Sequence, residues 1–314
     1  MVYTVRSITI EEKEEIASRY TPLVKFEHKS DIYGCCIKLL TDARIVKDRW
    51  EENFFAMSQN IRSHGRLYVL DDPRESKDTV LYDAQSKTAF LLNITYYGWI
   101  KSLALSVAGD ILEDEHSIFS IHGACIDTGC GGLCIVGASG AGKTTHTYGM
   151  LRDERVHVIA DDWFFVREFG KDVLAYGSEK NFYIRADLAT IWPEFEDLVE
   201  HAEFDGEGRA VVDLRWVVGK GRILPLTRLR TMILLERRGD PVRCRQLEPS
   251  EALHHLESHT YFNPHLLIRN PFKEALRKSF FLKLLSHIDV YLVNTSGTPA
   301  ETQQLVRGIA GLCA

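Results

Sequence analysis

Residues 132–145 read GLCIVGASGAGKTT, a short apolar run followed by the full pattern G-x-x-x-x-G-K-[ST]. This order predicts a strand, a glycine-rich loop and a helix N-terminus, whose backbone N–H groups surround the phosphates of a nucleotide. The predicted nucleotide-binding residues are Gly137, Ala138, Ser139, Gly140, Ala141, Gly142, Lys143, Thr144 and Thr145. Lys143 places a cation at the β- and γ-phosphate oxygens, and the Thr144 hydroxyl is a predicted Mg²⁺ ligand. We therefore expect a nucleoside triphosphate site in this stretch.

The composition excludes some classes of partner. The chain has 314 residues, and its 38 basic and 44 acidic side chains give a formal net charge of −6. Such a chain has no overall cationic field, so neither nucleic acid nor an anionic membrane is expected as a partner. The opening sequence MVYTVRSITIEEKEE is charged and lacks the apolar core of a signal peptide. Because no run approaches eighteen apolar residues either, we expect a cytoplasmic protein.

Two groups of residues that could suggest a zinc site are interpreted otherwise. The first group is His122, Cys125, Cys130 and Cys134, whose spacing fits no zinc pattern. Because their number is odd and no export signal is expected, the seven cysteines are interpreted as reduced thiols, most of them packed as small apolar side chains. In the second group, His255 and His259 have the spacing of ligands on a helix, but no H-E-x-x-H motif is present. A capped surface helix is expected there.

Residues 1–115 and 116–314 differ in character and are predicted to form two domains. The first part contains short β-type runs, namely IYGCCIKLL, GRLYVLDD, TVLYDA and TAFLLNI, separated by turn-like segments. They predict a β-rich, mostly antiparallel N-terminal module with a role in recognising a substrate or partner. A helix is expected from Tyr97 to Glu113, leading into the second domain.

The segment HVIADDWFFVRE, residues 157–168, reads as one strand with Asp161 and Asp162 at its middle. Two carboxylates inside an apolar strand need a partner, because an isolated charge is costly to remove from water. A bound Mg²⁺ would be such a partner. Asp161 and Asp162 are therefore predicted metal ligands together with Thr144.

The order of these motifs resembles that of the phosphoenolpyruvate carboxykinase and HPr kinase/phosphorylase group of P-loop kinases. In IFSIHGACID, His122 stands shortly before the loop, and Ala160-Asp161-Asp162 follows it, as in those families. The segment from Glu179 to Arg185 is similar to a carboxykinase pattern of Glu, three residues, Tyr, one residue and a basic residue. The strand that ends in Asn294-Thr295 resembles one beside the carboxykinase nucleotide. The resemblance covers roughly residues 117 to 300.

The resemblance implies an α/β (α+β) protein, in which a carboxykinase-like P-loop domain carries a smaller, mostly β N-terminal module. It implies ATP and Mg²⁺ as cofactors, with Mn²⁺ as an alternative metal, and direct phosphoryl transfer. The implied catalytic residues are His122, Lys143, Asp161, Asp162, Glu179 and Arg185. One of the paired acids would hold the metal and the other would act as a base, in an order left open, while Arg185 would clamp a phosphate. Arg222 is a weaker candidate for such a clamp.

The chain also departs from both families. It is far shorter than a carboxykinase, and it lacks the L-E-x-R-G-x-G signature that accompanies phosphorolysis in HPr kinases. We therefore expect a kinase that transfers the γ-phosphate of ATP to a hydroxyl of a protein, peptide or small-molecule acceptor. The alternative is a switch or assembly protein that binds and hydrolyses ATP without an acceptor. The sequence leaves open the choice between ATP and GTP, and whether the chain forms a homo-oligomer.

Overall fold

The computed structural model describes residues 3–206, 208–239 and 243–312. The chain divides into two compact units. The first comprises the chain up to Phe119 together with Ser178–Lys180 and Pro264–Lys273. The second comprises Ser120–Gly177, Asn181–Asn263 and the chain from Glu274 onward. Each unit is built on its own principal sheet.

The first unit contains a seven-stranded sheet in the order β1-β6-β7-β5-β3-β2-β4. The strands are β1 (Thr4–Ser7), β2 (Phe26–Ile32), β3 (Cys35–Thr41), β4 (Phe55–Ala56), β5 (Gly65–Leu70), β6 (Thr79–Asp83) and β7 (Thr88–Leu92). All five residues of β7, an interior strand of the sheet, are buried. Burial on both faces explains why this strand reads as an uninterrupted apolar run rather than as an alternating one.

This sheet is mixed, so the prediction of a mostly antiparallel module was wrong. β2 pairs antiparallel with β3 and β4, and β6 pairs antiparallel with β7. The pairs β3 with β5, β5 with β7 and β1 with β6 are parallel. Parallel neighbours need a crossover connection, and helix α2 (Arg44–Asn53) lies in the connection from β3 to β5. Sequence analysis did not anticipate this helix.

Two further helices belong to the first unit. Helix α1 (Ile10–Tyr20) begins with a capping box, in which the Thr9 side chain accepts from the Glu12 amide and the Glu12 carboxylate accepts from the Thr9 amide. Helix α3 (Tyr97–His116) begins where the sequence predicted and ends three residues later than expected. Fifteen of its twenty residues are buried, so the helix lacks the usual division into one apolar and one polar face.

The second unit contains an eight-stranded sheet. Its strands are β8 (Phe119–Asp127), β9 (Gly132–Gly137), β10 (His157–Ala160), β11 (Trp163–Phe169), β12 (Asp172–Gly177), β15 (Leu226–Glu236), β16 (Cys244–Leu247) and β17 (Asp289–Asn294). A separate two-stranded sheet is formed by β13 (Phe182–Arg185) and β14 (Arg209–Val212). Strand β9 lies between β8, to which it is antiparallel, and β15, to which it is parallel. This placement decides what surrounds the loop that follows β9.

The segment predicted as one strand, residues 157–168, is two strands, β10 and β11, separated at Asp161 and Asp162. The pairing of β10 with β8 already shifts register between Val158 and Ala160. Beyond that point the carbonyl of Asp162 accepts from the amide of Gly123 at 3.0 Å. The bulge turns both acids out of the regular ladder, as bulges beside functional sites commonly do.

Helices cover the second unit and complete its core. They are α4 (Lys143–Leu151), α5 (Leu188–Ile191), α6 (Glu196–Glu200), α7 (Leu214–Val217), α8 (Pro249–Ser258), α9 (Pro271–Leu285), which begins in the first unit, and α10 (Pro299–Ile309). Ile135, Tyr148, Ile233 and Val306 belong to one buried apolar cluster that joins the sheet to α4 and α10. Among the residues that the structure describes, no helix combines the length and the hydropathy needed to cross a bilayer.

Candidate functional site

The loop after β9 has the backbone that its glycines predict. Strand β9 ends at Gly137 and helix α4 begins at Lys143. Gly140 and Gly142 have φ angles of 79° and 101°, which side chains other than glycine rarely adopt. A Cβ atom on Gly137 would lie 2.8 Å from the carbonyl oxygen of Leu235, so only glycine allows β9 to approach β15 this closely. Residues 138–140 are exposed at the tip of the loop.

The Lys143 side chain folds back over the loop. Its Nζ donates to the carbonyl oxygens of Gly137 at 2.9 Å and Ala138 at 3.3 Å. Burial lowers the pKa of Lys143, while the carboxylates of Asp162 and Asp161 act in the opposite direction. The carboxylates are thus close enough to interact with the ammonium group. Three predicted site residues are thus brought together. Lys143 lies in the segment after β9, and Asp161 and Asp162 directly follow β10.

Two threonines follow Lys143 in the first turn of α4. Thr144 and Thr145 are both partly buried. The carbonyl of Thr145 accepts from Nε1 of Trp192 at 2.8 Å, which anchors the start of the helix to the chain before α6. Since α4 has its N-terminus at the loop, its first N–H groups favour an anion at this position.

The two acids have different surroundings. Asp161 is only 5% exposed, and its Oδ2 accepts from the backbone amide of Tyr183 at 2.9 Å. The Asp162 side chain is 32% exposed, and its Oδ1 lies 3.1 Å from Nε2 of His122. Asp161 is therefore a fixed, buried acceptor, whereas Asp162 faces solvent and shares a proton with an imidazole.

His122 is held at both ring nitrogens. Its Nδ1 lies 2.9 Å from the carbonyl oxygen of Phe262. Because a carbonyl can only accept, Nδ1 must carry a proton, which leaves Nε2 to share one with Asp162. The pair is then either an imidazolium with a carboxylate or a neutral ring with a carboxylic acid. In both arrangements one proton can be exchanged between His122 and Asp162.

The carbonyl that fixes His122 belongs to a strained turn that sequence analysis missed. Thr260, Tyr261 and Phe262 have φ angles of 52°, 53° and 53°, three consecutive left-handed residues without a glycine. Each such residue costs roughly 1–3 kcal/mol, and strain of this kind clusters at functional sites. No composition or periodicity signal marks this turn, because the sequence TYF contains none of the residues that favour a positive φ.

A cavity of about 370 Å³ adjoins the loop. It is lined by loop residues 138–141, by residues 235–237 at the end of β15, and by His255, His259 and Phe262. The three rings form one cluster, in which His259 is stacked on Phe262 at 4.8 Å with an interplanar angle of 13°. The sequence predicted only a surface helix here. Helical spacing alone does not reveal that α8 and the strained turn face the loop.

Glu179 belongs to the first unit, whereas the loop belongs to the second. Its carboxylate forms an ion pair with Lys101 at 3.1 Å and accepts from Nδ2 of Asn53 at 3.2 Å. The side chains of Glu179 and Lys101 are 7% and 1% exposed. Glu179 thus forms a buried ion pair with Lys101 of helix α3. Its role in phosphoryl transfer stays a prediction.

Arg185 lies at the end of β13 and is exposed. Its Nε lies 3.6 Å from a carboxylate oxygen of Asp187, and both side chains are more than half exposed. Tyr183, two residues earlier on the same face of β13, is the residue whose amide binds Asp161. The strand therefore connects Arg185 to the acids through its backbone, and a phosphate-clamping role stays a prediction.

Arg222 has a structural role, so its assignment as a weaker phosphate clamp was wrong. Its guanidinium donates to the carbonyl oxygens of Leu151, Asp153 and Val156 at 2.7–3.0 Å. These carbonyls lie at and beyond the C-terminus of α4, where a cation is favoured by the unpaired carbonyl groups. The donors of Arg222 are thus used within the fold.

The donor set at the loop fits Mg²⁺. This ion is usually held by one or two carboxylates together with phosphate oxygens and water, rather than by a cage of protein ligands. Asp161, Asp162 and the Thr144 hydroxyl supply two carboxylates and one neutral oxygen beside the loop. Within the described part of the chain, no group of three or more His, Cys, Asp or Glu side chains is arranged to hold a metal ion.

Taken together, the fold and site define a mixed α/β protein with a glycine loop, a lysine, two acids and a histidine assembled in its second unit. No protein-family model and no curated protein matches the chain. Among solved structures, the chain is similar to the Hpr(Ser) kinase/phosphatase from Coxiella burnetii, at 14% identity and a TM-score of 0.34. That match covers 60% of this chain and 95% of the other. A likeness of this extent defines neither the fold nor the activity, so the function has to be argued from the site itself.

Proposed function

We propose that the chain is an ATP- and Mg²⁺-dependent kinase that transfers the γ-phosphate to a hydroxyl of a protein, peptide or small-molecule acceptor. The observation that carries the proposal is the pairing of Asp162 with His122 at 3.1 Å, next to a lysine whose charge Asp161 and Asp162 favour. Phosphoryl transfer needs a cation at the phosphates, oxygen ligands for a metal and a base for the hydroxyl. The residues that we assign to these three roles lie beside the glycine loop.

The binding step uses the loop and Lys143. The N–H groups of the loop and of the first turn of α4 would bind the phosphates, and the ammonium of Lys143 would leave the carbonyls of Gly137 and Ala138 for the β- and γ-phosphate oxygens. Thr144 and Asp161 would hold Mg²⁺, which would supply positive charge to stabilise the phosphates. The buried position and fixed hydrogen bond of Asp161 suit a ligand that does not move.

The proton-transfer step uses Asp162 and His122. A hydroxyl must lose its proton as it attacks the γ-phosphate, so the base must lie at an accessible position. Asp162 is the more exposed of the two acids and is our candidate. His122 would orient the Asp162 carboxylate and share the proton that it takes up, while the Phe262 carbonyl holds the ring in place.

The second candidate function is an ATP-dependent switch without an acceptor. The observation that favours it is that two of the predicted catalytic residues, Glu179 and Arg185, have ionic partners of their own. Glu179 is in a buried ion pair of the first unit, and Arg185 is exposed with Asp187 as its ionic partner. A switch needs the phosphate loop and a metal ligand, but no clamp for an acceptor.

Binding is tested by calorimetry with Mg-ATP. We expect Lys143→Ala to weaken binding at least tenfold, since a charge-assisted contact to phosphate is lost. Lys171→Ala, an exposed lysine in the turn between β11 and β12, is the matched control and should bind as the parent does. Equal affinity for ATP in the parent and in Lys143→Ala would refute the assignment of the loop.

The choice between kinase and switch is tested with γ-labelled ATP and a library of Ser-, Thr- and Tyr-containing peptides. The kinase proposal predicts labelled peptide in the parent and a loss of 10²- to 10⁴-fold in Asp162→Asn, the usual range for removal of a general base. Asp172→Asn, an acid on β12 paired with Arg228, is the control. Phosphate release that is independent of every peptide, with no labelled peptide, would support the switch instead.

A further inference from the structure

The cavity beside the loop contains two buried polar atoms that lack a hydrogen-bond partner. They are Nε2 of His255 and Oε2 of Glu236, and neither has a partner within residues 3–206, 208–239 and 243–312. Both residues line the cavity, and their charges are close enough to interact. A buried polar atom without a partner costs about 1–3 kcal/mol. Two such atoms at one cavity point to a ligand that supplies the missing hydrogen bonds.

The remaining wall of the cavity suits a flat ring. His255, His259 and Phe262 form an aromatic cluster, with ring centroids 4.6 to 5.8 Å apart. His259 is exposed, so one face of the stack is open. Burial, together with the neighbouring His259, lowers the pKa of His255, although Glu236 acts in the opposite direction. A neutral His255 offers a hydrogen bond without repelling an uncharged ring.

The cavity and the two acids lie towards different neighbours of strand β9. Strand β9 has β8 on one side and β15 on the other. His122 lies on β8 and pairs with Asp162, whereas Glu236 ends β15, one residue beyond the pair of Leu235 with Gly137. The loop therefore has metal-binding and basic groups towards β8, and an aromatic cavity towards β15. The strained turn contacts both sides, because Phe262 lines the cavity and its carbonyl holds His122.

We infer that this cavity binds the nucleobase of the nucleotide, stacked on His259 and Phe262, with an exocyclic amino group of the base donating to Glu236. The inference rests on the proposed function, since it concerns the same nucleotide. It assigns the base to the β15 side of the loop and leaves the β8 side for the acceptor hydroxyl. The strained turn at residues 260–262 then positions the Phe262 ring for the base and the Phe262 carbonyl for His122.

The test compares Mg-ATP with magnesium tripolyphosphate, which has the phosphates but no base. By calorimetry, His259→Ala should weaken ATP binding about tenfold, because stacking of one base on one aromatic ring contributes roughly 1–3 kcal/mol. Its affinity for tripolyphosphate should equal that of the parent. His254→Ala is the matched control, because His254 is exposed on the same helix and does not line the cavity. It should change neither affinity.

The amino-group contact is tested with purine riboside triphosphate, which lacks the 6-amino group of ATP. The parent should bind ATP several-fold more tightly than this analogue, and Glu236→Gln should reduce that preference. No preference in the parent would overturn the contact with Glu236.

The possible failures are distinguishable. If the parent binds neither ATP nor tripolyphosphate, the proposed function itself is wrong. If it binds both equally well, or if His259→Ala weakens both to the same extent, the phosphate site stands and the base site is refuted. Selective loss of ATP affinity supports both.

Discussion

At the scale of single residues, Lys143 of the loop is a buried cation held by opposing influences. Lys143 is anchored by two carbonyl oxygens and attracted by two carboxylates, yet burial lowers its pKa below the ordinary lysine value. Burial therefore outweighs the carboxylates. Folding is penalised while Lys143 is charged, at pH values below its pKa in the folded protein, and the penalty is relieved as the pH rises towards the unfolded value. A bound triphosphate would remove this penalty by compensating the buried charge.

This linkage predicts proton uptake on binding. A polyanion favours the charged lysine, so binding should raise the pKa of Lys143. In the alkaline range above its pKa in the free protein, Mg-ATP should bind with uptake of a proton, and its affinity should fall as the pH rises. Calorimetry in two buffers of different ionisation enthalpy measures the uptake. In Lys143→Arg, whose guanidinium stays charged, the uptake should vanish. An uptake that is the same in both proteins would assign it to another group.

At the scale of elements, the turn at residues 260–262 is the least expected feature. It follows α8, and its three left-handed residues place the Phe262 carbonyl on His122. Tyr261 is stacked on Phe281 of α9 at 5.0 Å, and the Asn263 amide donates to the Thr260 carbonyl. Packing on both sides thus holds a backbone that its own residues disfavour. The order of helix, turn and helix is local, but the strain is sustained by tertiary contacts.

The strain can be measured at Thr260, which is exposed and β-branched. Thr260→Gly should raise the free energy of unfolding by about 1 kcal/mol, because glycine adopts a positive φ without steric cost. Thr260→Ala removes the same side chain but keeps a Cβ, so it should give much less of this gain. Urea denaturation of the three proteins makes the comparison. If Thr260→Gly were no more stable than Thr260→Ala, the turn would not be strained at this residue.

At the scale of the whole molecule, the first unit depends on a segment that comes late in the chain. Pro264–Lys273 belongs to this unit, and Lys273 forms ion pairs with Asp110, Glu113 and Asp114 of α3 at 2.6–3.2 Å. Asp110 also accepts from Lys87 and from the Tyr82 hydroxyl. Burial opposes the charge on Lys273, but the carboxylates outweigh it and raise its pKa. This stabilisation is complete below the unfolded lysine pKa and is lost only as the pH rises through the folded value.

Removal of this cation should destabilise the first unit strongly. In Lys273→Met the carboxylates of Asp110 and Glu113 stay buried and each loses an ion-pair partner, at a cost of about 3–5 kcal/mol. Amide hydrogen exchange of α3 should report this loss. Lys278→Met, on the same helix, is the control, because Lys278 is 59% exposed in its pair with Glu257, and surface pairs contribute at most about 1 kcal/mol. Similar exchange in the two variants would mean that the buried network does not stabilise α3.

Several local features could be predicted from the sequence. The strand, loop and helix order around Gly137 and Lys143 was confirmed, as were strand β8 and the start of α3 at Tyr97. These features follow from local chemistry, since glycines permit the positive φ angles and apolar runs mark buried strands. The division at residues 115 and 116, the recognition role of the first part and the roles of the site residues stay predictions.

Other features depended on the tertiary structure. The sheet of the first unit is mixed because strand pairing depends on crossovers such as α2, which the β-type runs do not reveal. The bulge between Val158 and Ala160, just before the two acids, depends on pairing with β8, and the aromatic cavity depends on α8 meeting the loop. The sequence by itself determined the order of strand, glycine loop and helix, because that local structure follows from consecutive residues at positions 132–145. Only the tertiary structure brought His122, Asp162 and Phe262 into contact, because hydrogen bonds between residues 40 and 140 positions apart leave no periodic trace in the chain.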